Sequence, residues 1–322
     1  MLFRSNFPRH RSRRRTTHQL ETLEARELLT TLTVTTLADT IANDGEMSLR
    51  EAMNQAIPGD EVVFNSGLNG TVELSLGPLQ VAPNLTLTGN GAANTNIDAQ
   101  GNSDVFLEVR NSLTLRSLTI SNSETNGISF RGAEDQFRII DAVITGSGDA
   151  GVVVSNNIYE YSSQLTITDS VITNNGARGL AVTGQIRGTV SDSDISGNVG
   201  GVSLTGFYGG PRPSVTISNS VVGNNIAPNT PGGGIAVELS ALTVRDSIVT
   251  GNEGSTGGGI FADQTALLIS SSTIVGNSGT DGGGLYLSNF RAAKRLENLT
   301  IVDNTATRDG GCLLYTSPSP RD

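Results

Sequence analysis

The stretch LTVRDSIVTGNEGSTGGGIF (242–261) is followed shortly by LLISSSTIVGNSGTDGGGLY (267–286), which changes most residues but keeps the aliphatic positions, one Asn and a run of Gly. The kept residues are either chemical, making a repeated active site, or geometric, making a scaffold. Aligning the whole chain on the conserved Asn extends the column to Ser123, Ser147, Asn175, Asn198, Asn225, Asn252, Asn277 and Asn304, spaced by 24, 28, 23, 27, 27, 25 and 27 residues. Such spacings belong to solenoids. Three residues before the column stand Ile120, Ile144, Ile172, Ile195, Val222, Val249, Ile274 and Ile301. A second aliphatic column lies eight residues before the Asn, and a third follows the Gly run (Ile128, Val152, Leu180, Val202, Ile235, Ile260 and Leu285).

Each repeat therefore holds three short strands with inward alternation, separated by polar corners, and no helix. A propeller blade needs a longer unit with four strands, so the pattern predicts an all-β chain, a parallel β-helix whose coils stack about 4.8 Å apart. Within it Asn175, Asn198, Asn225, Asn252, Asn277 and Asn304 are expected to form an internal ladder of side-chain amides. The Gly pairs (Gly233 and Gly234, Gly258 and Gly259, Gly283 and Gly284) are expected to supply backbone freedom at a sharp corner. A catalytic residue has no reason to recur in every coil, so both columns read as structural.

Composition bounds the function. The chain has 322 residues, 39 Gly, no Trp and a net charge of −10. Residues 1–30 hold seven Arg and three Glu, a balance of +4, which leaves −14 for the rest. An acidic body with a single Lys, Lys294, is a poor partner for nucleic acid or anionic membranes. No run approaches the length of a membrane span. The one cysteine, Cys312, excludes an intrachain disulfide. The basic start lacks the long apolar run of an ordinary signal peptide.

SLREAMNQAIPGD (48–60) differs from everything after it. Ser48 and Glu51 have capping-box spacing, Leu49, Met53 and Ala56 share a helical face, and Pro58 with Gly59 stops the helix. An open solenoid exposes apolar core at its first coil, so this short amphipathic helix is expected to cap it.

These residues carry a resemblance. EMSLREAMNQAIPGDEVVF (46–64) is similar to the CSLREA domain of exported bacterial β-helix proteins, with Met47 where that motif has Cys. LETLEARELL (20–29) resembles the LEPR-XLL motif of large exported planctomycete-type proteins, with Ala25 in place of Pro. The repeat from about residue 62 to 311 resembles right-handed parallel β-helix proteins of the pectin lyase-like fold. The resemblance implies an exported or cell-surface protein and brings no catalytic residue. The expected organisation is a basic N-terminal targeting segment (1–30), a first strand and capping helix (31–61), the β-helix (62–311) and a tail (312–322). In that tail GGC replaces GGGIF and GGGLY, the apolar alternation fails, and CLLYTSPSPRD looks like translated sequencing adapter, so the natural chain is expected to be cut near Gly311.

Three functional classes follow. A non-catalytic scaffold for adhesion, extracellular matrix or glycan contact is the first, a carbohydrate-active lyase or hydrolase the second, and a glycan- or calcium-binding module the third. For catalysis, the outward positions after the Gly run (Ser129, Val153, Ala181, Ser203, Ala236, Phe261 and Tyr286) offer no carboxylate or cation, and the only histidines, His10 and His18, lie in the N-terminal segment. No catalytic residue is assigned. Asp141, Asp169 and Asp192 recur at one corner in successive coils and are the candidate calcium ligands, with turn capping as the alternative. Tyr159, Tyr161, Phe207, Tyr208, Phe261 and Tyr286 are the candidate glycan-stacking residues, three long insertions (155–164, 205–214 and 288–295) gathering most of the aromatics at one edge. Polysaccharide or cell-surface components are the expected partners, with no cofactor other than calcium.

Overall fold

Leu242 pairs with Leu267, Val244 with Ile269, Val249 with Ile274 and Ile260 with Leu285, all in parallel register, so the two quoted stretches are successive turns of one solenoid. The computed structural model describes residues 29–106, 109–156, 162–289 and 293–316. Among them the chain winds through about ten coils in three long parallel sheets. The first sheet has 11 strands, from Thr31–Val34 to Lys294–Glu297; the second has ten, from Gly70–Glu73 to Thr300–Val302; the third has eight, from Ile128–Arg131 to Leu313–Thr316. Inward residues alternate with outward ones in nearly every strand, as in Ser163–Thr168, where Ser163, Leu165 and Ile167 are buried. The fold is the expected all-β parallel solenoid with one short helix.

The lumen is filled by small aliphatics stacked on their equivalents in the next coil, such as Ile120, Ile144, Ile172 and Ile195, each at most 1% exposed. Fully burying one such side chain contributes about 1.5–3 kcal/mol. Phe130 of the third sheet and Phe137 of the first stack inside, with centroids 4.4 Å apart. Two rings fill there what aliphatics fill elsewhere.

All three corners use one device, a left-handed residue followed in most coils by an inward-facing polar one. At the corner between the first and second sheets, Ser117, Asp141, Asp169, Asp192, Asn219, Asp246, Ser271 and Asn298 have φ between 48° and 52°. In five of these coils a Ser follows, which donates from Oγ to the carbonyl two residues back and accepts an amide from the preceding coil: Ser193 Oγ donates to Ser191 O at 2.7 Å and accepts from Ser170 N at 3.2 Å. Ser170, Ser220, Ser247 and Ser272 do the same. At the next corner Asn174, Gly197, Asn224, Gly251, Gly276 and Asp303 are left-handed and the Asn column follows. At the third, Leu239 and Gln264 precede Ser240 and Thr265, whose hydroxyls donate to Glu238 O and Asp263 O. Asn, Asp and Gly tolerate this conformation best, which is why they hold most of these positions.

A fourth sheet of four short strands, Ile226–Ala227, Glu253–Thr256, Ser278–Asp281 and Thr305–Asp309, lies between the second and third in the last coils. Its signal was the longer spacer between the ladder Asn and the Gly run in these repeats. It also corrects the reading of the Gly pairs. The left-handed residue is the Gly before each pair (Gly232 φ 64°, Gly257 φ 60°, Gly282 φ 57°). The pair itself is needed for close approach: a Cβ on Gly233 would lie 2.1 Å from Glu253 O, and one on Gly234 2.5 Å from Gly259 O.

At the N-terminal end the helix α1 (Leu49–Gln55) has the capping box, with Ser48 Oγ accepting from Glu51 N and the Glu51 carboxylate accepting from Ser48 N. Leu49, Ala52 and Met53 join the core with Val34, Val62 and Phe64, and Ala56 packs against it. Sequence patterning missed the ion pair beside it. Arg50 reaches both oxygens of Asp39 at 2.6 and 3.0 Å and donates to Gly77 O and Pro78 O, and Asp39 accepts from Ser75 N and Leu76 N. Burial pushes the Asp39 carboxyl up, but the Arg50 hydrogen bond and those amides together outweigh it and hold it below its ordinary value.

Leu313–Thr316 continues the third sheet, Leu313 opposite Leu285 and Tyr315 opposite Leu287. The strand pairing runs past Gly311, but Leu313 and Tyr315 are exposed where their partners Leu285 and Leu287 are buried; residues 317–322 lie outside the described ones.

Candidate carbohydrate-contact edge

The Asn column is a continuous chain of amides. Each Nδ2 donates to the Oδ1 of the next coil, from Asn175 to Asn198 (2.9 Å), Asn198 to Asn225 (3.1 Å), Asn225 to Asn252 (2.9 Å), Asn252 to Asn277 (2.9 Å) and Asn277 to Asn304 (2.9 Å). Each Oδ1 also accepts the backbone N–H of the preceding Asn, as in Asn198 N to Asn225 Oδ1 at 3.0 Å. The Gly column explains why Asn and Gly are kept together. A Cβ on Gly151, Gly179, Gly201, Gly234, Gly259 or Gly284 would come within 2.7 to 3.0 Å of the Nδ2 of Asn175, Asn198, Asn225, Asn252, Asn277 or Asn304. The two columns are one packed unit facing inward, with the Asn amides consumed by neighbouring coils. Function has to lie on the outer surfaces.

The Asp corner lies outside, and its recurrence has a backbone cause. Asp141, Asp169 and Asp192 are exposed residues at φ near 50°. Asp141 accepts from Ser117 Oγ at 2.7 Å and Asp169 from Thr168 Oγ1 at 3.3 Å. Among the described residues no group of three or more His, Cys, Asp or Glu could hold a metal ion. The turn-capping reading accounts for the column on its own: it repeats because the corner is left-handed.

On the outer face of the third sheet, Phe261 and Tyr286 are paired in register and stack with centroids 5.7 Å apart and planes at 17°. One face of each ring covers the other, and the register neighbours beyond are Ala236, only 8% exposed, and Leu314. This is a cross-strand aromatic pair on the outer sheet, both rings half-buried. The strands carry a second outward column that the first outward positions did not reveal: Arg131, Ser155, Thr183, Thr205, Glu238, Asp263 and, buried at its end, Ser288. It carries charge. Glu238 lies opposite Asp263, and Asp263 Oδ1 accepts from Ser288 Oγ at 2.7 Å and Asn289 Nδ2 at 2.6 Å. Burial lowers the pKa of Lys294 while the nearby Asp263 charge opposes that shift. The signal was present as simple period-two alternation.

The third sheet passes to the first at an edge where most coils use a short corner but one carries the segment 206–213. Phe207 and Tyr208 on it are 42% and 76% exposed. The Tyr208 hydroxyl accepts from Gln264 Nε2 at 2.6 Å, two coils further on, so the segment lies along the solenoid axis. Pro211 O accepts from Phe207 N and Pro213 O from Ala241 N, which pins the far side of the segment. Residues 155, 156, 163 and 164 of the first long insertion belong to strands; Tyr159 and Tyr161 lie outside the described residues. Among the described candidates Phe207 and Tyr208 are exposed, while Phe261 and Tyr286 are half-buried against each other.

No curated protein sequence matches the chain. Among solved structures it is similar to pectate lyase Pel9A, at 15% identity over 83% of this chain and 70% of that one, with a TM-score of 0.49. It is also similar to the A-module of the mannuronan C-5 epimerase AlgE4 of Azotobacter vinelandii, at 12% identity over 82% of this chain and 90% of that one, TM-score 0.48. The family model described as right handed beta helix region matches residues 103–266, half of the chain. With its parallel three-sheet coil and inward ladders, the chain belongs to the right-handed β-helix family.

Proposed function

We propose that this chain is a non-catalytic scaffold, exported to the cell surface or beyond, whose edge between the third and first sheets contacts glycans or other cell-surface components. The observation that carries this reading is the division of labour in the coil. Residues that recur are turned inward and hydrogen-bonded to neighbouring coils, while exposed aromatics sit on the one described long segment of the edge, 206–213. Flat rings beside polar groups stack on sugar rings, and solenoids carry binding on such per-repeat insertions. Export is supported by the resemblance of 20–29 and 46–64 to motifs of exported proteins. Among the described residues no helix is long and apolar enough to cross a membrane. Replacing Phe207 and Tyr208 together by Ala should abolish binding to whichever glycan or cell preparation retains the wild-type chain. Unchanged retention would sink the assignment of this edge.

A second reading, a carbohydrate-active enzyme, is favoured by one feature: the in-register carboxylates Glu238 and Asp263 with Lys294 near Asp263 on an outer sheet face. Carboxylates paired with a cation of lowered pKa are the material of acid–base chemistry on sugars. Incubation with acidic polysaccharides, read as unsaturated or reducing-end products, decides between the two. The scaffold predicts none.

A further inference from the structure

Close to the exposed aromatic pair, the same edge forms a cleft of about 200 Å³ lined by Ser162, Gln185, Ile186, Arg187, Arg212 and Ser214. We infer that it binds one anionic group, a carboxylate or sulfate, carried on an acidic polysaccharide chain; this deepens the glycan-contact reading and rests on it. Three observations converge. First, Arg187 stands on the outer face of the first sheet, in register with Ser214, and is exposed. Arg212 enters from the segment 206–213 between two buried prolines, Pro211 and Pro213, which fix φ on either side of it. A guanidinium presented by so stiff a backbone loses little freedom on binding. Second, Ser162 Oγ is buried without a hydrogen-bond partner. A buried hydroxyl left unpaired is destabilising, and here it lines the same cleft as the two cations, so an incoming oxyanion supplies its missing partner. Third, the body outside residues 1–30 carries a net charge of −14 (−10 less +4). Two clustered arginines on such a body bind anions locally, not by bulk attraction.

Two planar forks match carboxylate and sulfate oxygens alike. The volume falls below the roughly 300 Å³ at which small-molecule pockets begin. It suits one charged group on a polymer that continues along the edge past Tyr208.

The test uses the full chain in titration calorimetry at about 50 and 150 mM salt, with oligogalacturonate for the carboxylate, a sulfated oligosaccharide for the sulfate, neutral dextran oligomers and inorganic sulfate. At least one of the two acidic oligosaccharides is expected to bind, tighter than inorganic sulfate, and which one identifies the group. Arg187→Gln and Arg212→Gln should each weaken binding at least tenfold, and Ser162→Ala several-fold, with thermal melts unchanged because both arginines are exposed. Arg212→Lys, which keeps the charge but not the fork, should weaken it less than the Gln variant. Failure of both acidic oligomers to bind, equal binding by the Gln variants, or inorganic sulfate binding as tightly as the oligomers overturns the inference. Neutral dextran lost only with Phe207 and Tyr208 overturns it while leaving the glycan-contact edge standing. Product formation refutes the non-catalytic reading, and the anion cleft then stands or falls on whether the arginine variants still lose binding.

Discussion

The first coils and the last coils solve the same problem by different means. From Asn198 to Asn277 the inner corner is a chain of amides in which each Oδ1 takes two donors and each Nδ2 gives to a backbone carbonyl as well as to the next amide (Asn225 to Ile195 O, Asn252 to Val222 O). Before it, Ser123 and Ser147 occupy the column, and their Oγ atoms are buried without partners. The N-terminal end is instead consolidated by charge: the Arg50–Asp39 pair, the Glu51 capping box, and Asp60, which accepts from Thr30 N and Ile57 N. A repeat can satisfy its corners with itself, whereas an end has no neighbour on one side and recruits ions and a helix.

The comparison predicts that the N-terminal ion pair is the costliest single site. Arg50→Ala leaves the Asp39 side chain, 1% exposed, without its cation and frees the carbonyls of Gly77 and Pro78. The expected loss is about 3–5 kcal/mol, measured by chemical denaturation. Next comes Asn225→Ala in mid-ladder, which removes the acceptor of Asn198 N and Nδ2 and the donor to Asn252, at about 3 kcal/mol. If that variant loses less than Arg50→Ala but splits the transition in two, the coils on either side of the ladder unfold as separate units. Gly234→Ala should cost about 2 kcal/mol by overpacking alone, its Cβ meeting Gly259 O and, at 2.8 Å, Asn252 Nδ2.

Acid separates the two ends. Asp39, Glu51 and Asp60 all have carboxyls held below their ordinary values, Glu51 first by the Ser48 amide and then by Ala42, Asp60 first by Ile57 and then by Thr30. A carboxylate depressed in the folded state contributes stability above its unfolded pKa, about 4, that is lost as pH falls through the folded value. Segment 30–60 should therefore lose hydrogen-exchange protection between pH 7 and pH 3, after correction for intrinsic rates. The ladder, which contains no titrating group, should keep its protection. Equal loss at both ends would mean that the cap and the ladder are one cooperative unit.

Period and alternation made the coil legible because both are one-dimensional signals: an aliphatic every second residue and a marker every 23 to 28 residues. The ladder and the capping box were legible for the same reason. What stayed hidden depends on partners distant in sequence. Nothing near Arg50 announces Gly77, and nothing near Arg212 announces Arg187 or Ser162. The Asp corner stayed ambiguous in the sequence since a left-handed φ and a ligand set select the same side chains, and the backbone angle is what the structure adds. The stacking of Phe261 on Tyr286 was equally hidden, because a sequence gives the face of a strand but not whether two rings on it cover each other.

The smallest predicted effect is the sharpest test of the comparison. Asn175 Oδ1 accepts only from Ser147 N, at 3.1 Å, where the later Asn oxygens accept two donors. Ser147→Asn would place an Nδ2 within reach of that oxygen and of Ile120 O, the counterpart of the Ile144 carbonyl that Asn175 uses. Gly127, in the same column as Gly151, already lacks the Cβ that would obstruct it. The expected gain is about 1 kcal/mol in the denaturation midpoint. Ser147→Ala should be near neutral, since the hydroxyl it removes has no partner. A stabilising Asn variant means that the ladder stops at Asn175 for want of an amide. A destabilising one means that lumen volume in the early coils, where Phe130 and Phe137 take up the cross-section, sets where the ladder can begin.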